Sequence, residues 1–265
     1  MKNILLLVHD DDGQEARLQV ALDLVRGLGG HLRCLDVTVL PQIADDVYGA
    51  SAMILEDERE REAVNQGHLE ARLAREGVSW DWATIAGGLE HCLTQEAGLA
   101  DLIVVNAGLN TLVSPDNLRV ATQLLYDTQI PVFAVPDGVK SLDLTRHVIV
   151  AWDGSDAASA ALSAATPLLA LAETVTILEI GEPANVTSVQ DAALYLSRHN
   201  IRPEVVRIPA HGQDVGERLL GEIRSRAARY VVMGGYGHNR LREALLGGVT
   251  RTLLQHSPVP LFLAH

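Results

Sequence analysis

At 265 residues the chain is too long for one minimal domain and suits two of ordinary size. Hydrophobic residues make up 48% but aromatics only 4%, so the apolar mass is Ala, Leu and Val, which favours close helix–sheet packing over an aromatic β-sandwich core. The net charge of −13 sits in one half: residues 1–143 hold 23 acidic and 10 basic side chains, residues 144–265 hold 11 of each, a balance that disfavours a nucleic-acid surface and leaves the second half the better host for a polyanionic small ligand.

In chain order, the opening "MKNILLLVHDDDG" has one Lys, a short apolar run and acidic residues straight after, so it is a poor signal peptide. With no apolar run near the roughly 18–20 residues of a membrane helix, the expectation is a cytoplasmic protein. Ile4–Val8 reads as a buried strand. "HDDDG" (9–13) does not have calcium-loop spacing, and Asp11 and Asp12 are expected to cap the following helix. Cys34 and Cys92 are far apart and belong to no C-x-x-C pair, which points to buried thiols in a reducing compartment. "LEDEREREAVNQGHLEARLAREG" (55–77) reads as a solvated amphipathic helix whose length also makes it a candidate docking surface or lid. Trp80 and Trp82 alternate with polar residues, as on a strand near a sheet edge. Residues 136–145 carry the turn signals of a linker. Beyond it the apolar runs "HVIVAW", "TVTILEI", "PEVVRI", "YVVMGG" and "PLFLAH" alternate with helical stretches. That order predicts parallel βαβ units in an open sheet covered on both faces.

The chain repeats itself. Pro131 laid over Pro260 fixes an offset of 129 that also pairs Gly108 with Gly237 and Val120 with Val249. At the start of each half, Asp10 lies over Asp153 at an offset of 143, so the first half holds about 14 extra residues, assigned to the charged helix.

In doubly wound sheets ligands lie outside the carboxyl ends of the strands. Asp153 follows the strand 148–152, and Gly234 and Gly235 follow the strand 230–233. If those strands are neighbours, they share a crevice. Gly247 and Gly248 precede a helix predicted over 249–256, whose first amides and partial positive charge suit a phosphate. Thr250 adds a hydroxyl in that first turn. His238, Arg240 and Arg242 lie between the glycines, either within reach of a polyphosphate or on a solvated loop face. The pattern is neither a P-loop nor a G-x-G-x-x-G fingerprint. No G-x-S-x-G elbow suggests a hydrolase.

Gly234-x-x-Gly237, nine residues and then Gly247-Gly248, together with the strand ending "VAWDGS", resemble the universal stress proteins in their tandem two-domain form. The resemblance implies two doubly wound α/β domains, 1–138 and 145–265, each a five-stranded parallel sheet flanked by helices, of the adenine nucleotide α-hydrolase-like kind. It implies an adenine nucleotide (ATP, or ADP or AMP, with or without Mg) near Ala151, Asp153 and Gly234, with its phosphates over Gly237, Gly247, Gly248 and the start of the following helix at Val249 and Thr250; His238 stays a candidate from its position alone. It implies a regulatory role in the stress response. The last strands of the two halves would pair to make an intrachain pseudo-dimer, and homodimers would also be open to it.

Two departures stand out. Gly248 replaces the Ser or Thr that the family carries after its third glycine, leaving a hydroxyl contact to Thr250. In the first half the constant offset puts Val105, Leu118 and Arg119 where Gly234, Gly247 and Gly248 stand, so the expectation is a degenerate first site. Without a lysine or arginine clamp for phosphoryl transfer the site reads as a binding site, with slow hydrolysis left open. The alternative is a structural adaptor that acts through protein partners and binds no nucleotide.

Overall fold

The computed structural model describes residues 1–39, 50–108, 119–181, 187–210, 212–235 and 248–265. In order these form β1 (Asn3–Val8), α1 (Gln14–Leu28), β2 (His31–Val39), α2 (Ala50–Leu73), β3 (Ser79–Gly87), α3 (Leu89–Glu96), β4 (Leu102–Asn106), α4 (Arg119–Thr128) and β5 (Val132–Val135). There follow β6 (Val148–Trp152), α5 (Asp156–Leu169), β7 (Val175–Ile180), α6 (Val189–Arg198), β8 (Glu204–Ile208), α7 (Val215–Ser225), β9 (Tyr230–Gly234), α8 (Gly248–His256) and β10 (Leu261–Ala264).

All ten strands belong to one sheet, ordered β3-β2-β1-β4-β5-β10-β9-β6-β7-β8. Within each run of five the neighbours are parallel, as the alternation of strand and helix requires. Side chains alternate between two buried layers. Ile4, Leu6 and Val8 join α1, α2, α5 and α6 on one face, while Leu5 and Leu7 join α3, α4, α7 and α8 on the other. Burial on both faces is why the central strands read as continuous apolar runs. Each fully buried Leu or Val contributes about 1.5–3 kcal/mol.

The two runs meet where β5 and β10 pair antiparallel, with Phe262 opposite Phe133 and Leu263 opposite Val132. Phe133 and Phe262 meet edge to face at 6.3 Å between ring centres, and Tyr230 lies 5.8 Å from Phe133. β3 and β8 form the two edges, and Trp80 and Trp82 are half-buried on one of them, as their alternation predicts. The segment 136–145 has no regular structure but is packed. Leu142 and Leu144 are buried, and the Leu142 amide donates to Asp23 Oδ2 at 2.8 Å. Cys34 and Cys92 are buried free thiols. Among the described residues no helix is long and apolar enough to cross a membrane.

Candidate functional site

β6 lies between β9 and β7. Leaving β6, the chain passes through α5 on one face of the sheet. Leaving β9, it reaches α8 on the other. The crevice where the two connections diverge is the place such sheets hold ligands, and the parallel register Val150↔Val232 brings Asp153 and Gly234 to the same end of adjacent strands. The condition set by the sequence, that these strands be neighbours, is met.

The turn after β6 is fixed by local bonds. Asp153 is exposed, and its Oδ1 accepts the Ser155 amide at 3.0 Å. Ser155 caps α5 by accepting the Ala158 amide at 3.1 Å. Gly154 adopts a left-handed φ of 76°, and its carbonyl accepts the Thr187 amide at 3.1 Å. Trp152 Nε1 donates to the Thr187 carbonyl at 3.3 Å, tying the turn to the segment before α6. Asp153 is thus presented on a braced turn, with Ala151 half-buried behind it.

The glycines differ in what they permit. A Cβ on Gly234 would lie 2.7 Å from the Ala157 carbonyl carbon and the Ala158 nitrogen, so this glycine lets the first turn of α5 lie against β9. A Cβ on Gly235 would meet Leu125 of α4 at 2.9 Å. The Gly235 amide donates to the Ala264 carbonyl at 2.7 Å, and its own carbonyl contacts His265 Nδ1 at 3.0 Å. Gly248, the first residue of α8, is exposed, and a Cβ there would meet none of the described residues within 4 Å. Helix geometry leaves the first-turn amides of Gly248, Val249 and Thr250 without acceptors in the helix, at its positive end. Val249 is half-buried. Thr250 is buried, as are Leu253 and Leu254 of the same helix. Gly237, His238 and Gly247 lie outside the described residues, as do Arg240, Arg242 and Leu118.

The corresponding end of β1 is filled. Arg17 is fully buried; its Nη1 meets both Asp11 oxygens at 2.9 Å and also Asn106 Oδ1, while Nε and Nη2 donate to the Leu7 and His9 carbonyls at 3.1 and 3.0 Å. Burial pulls the guanidinium below its usual pKa, against the opposing pull of Asp11. Asp11 does not cap α1 as expected: Gly13 occupies the cap position with no side-chain bond, and Asp11 Oδ1 is engaged by the Gly13 amide and Arg17. Asp10 is exposed and pairs with Arg61 of α2 at 3.1 Å.

The charged helix is also more than a solvated surface. It begins at Ala50 and buries Glu62, Asn65, Leu69 and Leu73. Glu62 meets His9 Nδ1 at 2.7 Å and accepts the Asp10 amide at 3.1 Å. Burial pushes the Glu62 carboxyl up, but these bonds outweigh it and leave its pKa below the usual carboxylate range. The sequence reading found the missing glycines of the first half but not this filling. The signal was present: the offset of 143 puts Ala160 opposite Arg17, and the offset of 129 puts Gly235 opposite Asn106.

Residues 145–265 match the model of the universal stress protein family. The chain is 23% identical to a universal stress protein of Synechocystis sp., over 98% of each chain. In fold it resembles a universal stress protein from Archaeoglobus fulgidus, with a TM-score of 0.76 and 19% identity over 99% of this chain and 97% of that one. It also resembles a Pseudomonas aeruginosa protein, with a TM-score of 0.62 and 14% identity over 100% and 93%.

Proposed function

We propose that this chain, which belongs to the universal stress protein family through residues 145–265, is a nucleotide-binding regulatory protein of the stress response that holds one adenine nucleotide in its C-terminal half. One observation carries the reading. At the switch point between β6 and β9 an exposed carboxylate, Asp153, shares the strand ends with Gly234, and α8 opens on an exposed Gly248 where a Cβ would meet no described residue within 4 Å. A phosphate needs that space to reach main-chain amides.

In this arrangement the adenine and ribose lie against the backbone of Ala151 and Gly234 with Asp153 beside the sugar. The phosphates sit over Gly248 and the first-turn amides of Val249 and Thr250, and Gly237, His238 and Gly247 complete the cradle. With amides rather than a Ser or Thr hydroxyl after the third glycine, ADP or AMP serves as well as ATP, and Mg accompanies the longer phosphate chains. The chain acts in the cytoplasm as two domains, 1–138 and 145–265, joined as a pseudo-dimer across β5 and β10. The first domain supports the fold and holds no nucleotide.

Calorimetric titration of the full chain with ATP, ADP and AMP tests this. One site per chain is expected, weakened tenfold or more by Asp153→Ala. A stoichiometry near two, or an Asp153→Ala protein that binds as tightly as the parent, would overturn the assignment. Absence of any affinity would favour the adaptor reading instead.

A further inference from the structure

The first half holds a different cavity, six strands along the sheet from β6. It has a volume of about 360 Å³ and lies at the carboxyl ends of β2 and β3 beneath α2. That is the small end of the range for ligand pockets, about 300–1,000 Å³.

Its position follows from the alternation of β2. Leu32 and Cys34 belong to the apolar core under α1 and α2, and the next two residues on that face are Asp36 and Thr38. Both line the cavity and are buried, Asp36 to 2% exposure. Across the ladder Asp36 faces Thr84 of β3. From α2, Glu62 closes the inner side, while Arg59 and Gln66 stand nearer the mouth.

None of the described groups around Asp36 donates to its Oδ1. Glu62 is an acceptor already held by His9, the Asp10 amide and Asn65. Thr84 Oγ1 accepts from Trp82 Nε1 at 3.2 Å. Asp36 Oδ1 is left buried with no hydrogen-bond partner among the described residues. A buried acceptor without a donor bears the whole cost of its desolvation, which native structures avoid. A neutral donor would satisfy the oxygen but not the charge. Asp36 and Glu62 place two carboxylates at the cavity, His9 is spent on Glu62, and Arg59 is exposed at the rim.

We propose that this cavity is a second ligand site that takes a small organic cation, a primary amine or a guanidinium. Its charged N–H donors meet the Asp36 carboxylate, and the rest of the ligand lies along Thr38, Gln66 and Thr84. Burial first, and then the nearby Glu62, raise the Asp36 carboxyl to about 7, while His9 opposes them. Binding of a cation therefore draws the proton off Asp36 and strengthens as the pH rises through neutrality.

Titration of the full chain with agmatine and putrescine, followed by calorimetry or NMR, tests the site, with adenosine as a competing probe. Both amines stay charged throughout. At least one is expected to bind about tenfold more tightly at pH 8 than at pH 6, the ratio of ionised Asp36 at the two values. Asp36→Asn should lower the affinity tenfold or more and abolish the pH dependence. Ala63→Leu, at an exposed position on the rim, should weaken binding without touching the carboxylate, and it keeps the test available if Asp36→Asn does not fold. No saturable binding of either amine up to about 10 mM would overturn the proposal. So would unchanged affinity in both variants, or displacement of the amines by adenosine.

Discussion

At the carboxyl end of β1 a buried guanidinium, an aspartate and an asparagine fill the crevice. At the equivalent end of β6 the same positions hold Ala160, Gly154 and Gly235. Both halves use the same strand plan, yet the first end is packed with polar side chains where the second has small residues at the equivalent positions. The first half lacks those glycines, and its α2 is 24 residues long where the counterpart α6 has 10. Arg17 enters the crevice from α1, and Glu62 and Arg61 reach over from α2.

The sharpest way to break this comparison is to remove Arg17. Arg17→Met keeps the length of the side chain but leaves Asp11 without its cation and Asn106 Oδ1 without its donor. Removing one member of a buried pair costs about 3–5 kcal/mol, to be read from urea unfolding. A cost below about 1 kcal/mol would show that the first crevice is closed by something other than this network. Asp11→Asn added to Arg17→Met should recover part of the loss, since the stranded charge is then gone.

A smaller effect comes from Asp36. Its pKa is raised in the folded state, so the protonated carboxyl is the form the fold favours. The stability this contributes is complete below the unfolded value near 3.8 and is lost as the pH rises to about 7. Asp36→Asn, which never ionises, should therefore match the parent at low pH and pull ahead of it between about pH 4 and 7, by on the order of 2 kcal/mol once solvent screening is allowed for. Glu62 shifts the opposite way and is lost in both proteins as the pH falls, and its repulsion of Asp36 is part of what the difference measures. A flat difference across that range would mean that Asp36 is ionised in the fold at no cost.

How much of this was legible depended on what each residue's neighbours in sequence reveal. Strands buried on both faces announce themselves as apolar runs, and Trp80 and Trp82 marked an edge strand by alternating. The repeat offset exposed the missing glycines of the first half. Arg17 did not stand out, because a single arginine in an amphipathic helix is ordinarily solvated. α2 was misleading for a related reason. The face it buries runs Glu62, Asn65, Leu69, Leu73, polar at one end and apolar at the other, so hydrophobic spacing registers only its second half. Asp153 and Gly234 were legible as a pair only on the condition that their strands be neighbours in a doubly wound sheet, which the order β9-β6 meets. The cavity at Asp36 was not legible, since nothing in "LDVTV" shows which oxygen lacks a donor.

The smallest effect on stability is also the most discriminating. Gly234 and Gly248 read alike in sequence, as glycines of one cradle, but the structure separates what each is for. Gly234→Ala drives a methyl group to 2.7 Å from the backbone of α5, and backbone cannot give way as a side-chain tip can. It should cost about 1–2 kcal/mol with or without nucleotide. Gly248→Leu adds a side chain that meets none of the described residues where it begins, at the exposed first position of α8, where leucine is the better helix former. Its thermal midpoint without ligand should equal or slightly exceed that of the parent. The same side chain stands over the first-turn amides of α8, so nucleotide affinity should fall tenfold or more, about 1.4 kcal/mol. Thermal melts with and without ATP separate the cases: Gly234→Ala shifts both curves together, while Gly248→Leu shifts only the nucleotide curve. If Gly248→Leu kept the full ATP-induced stabilisation, the anion would lie away from the start of α8, and the contrast between an open and a filled crevice would lose its functional meaning.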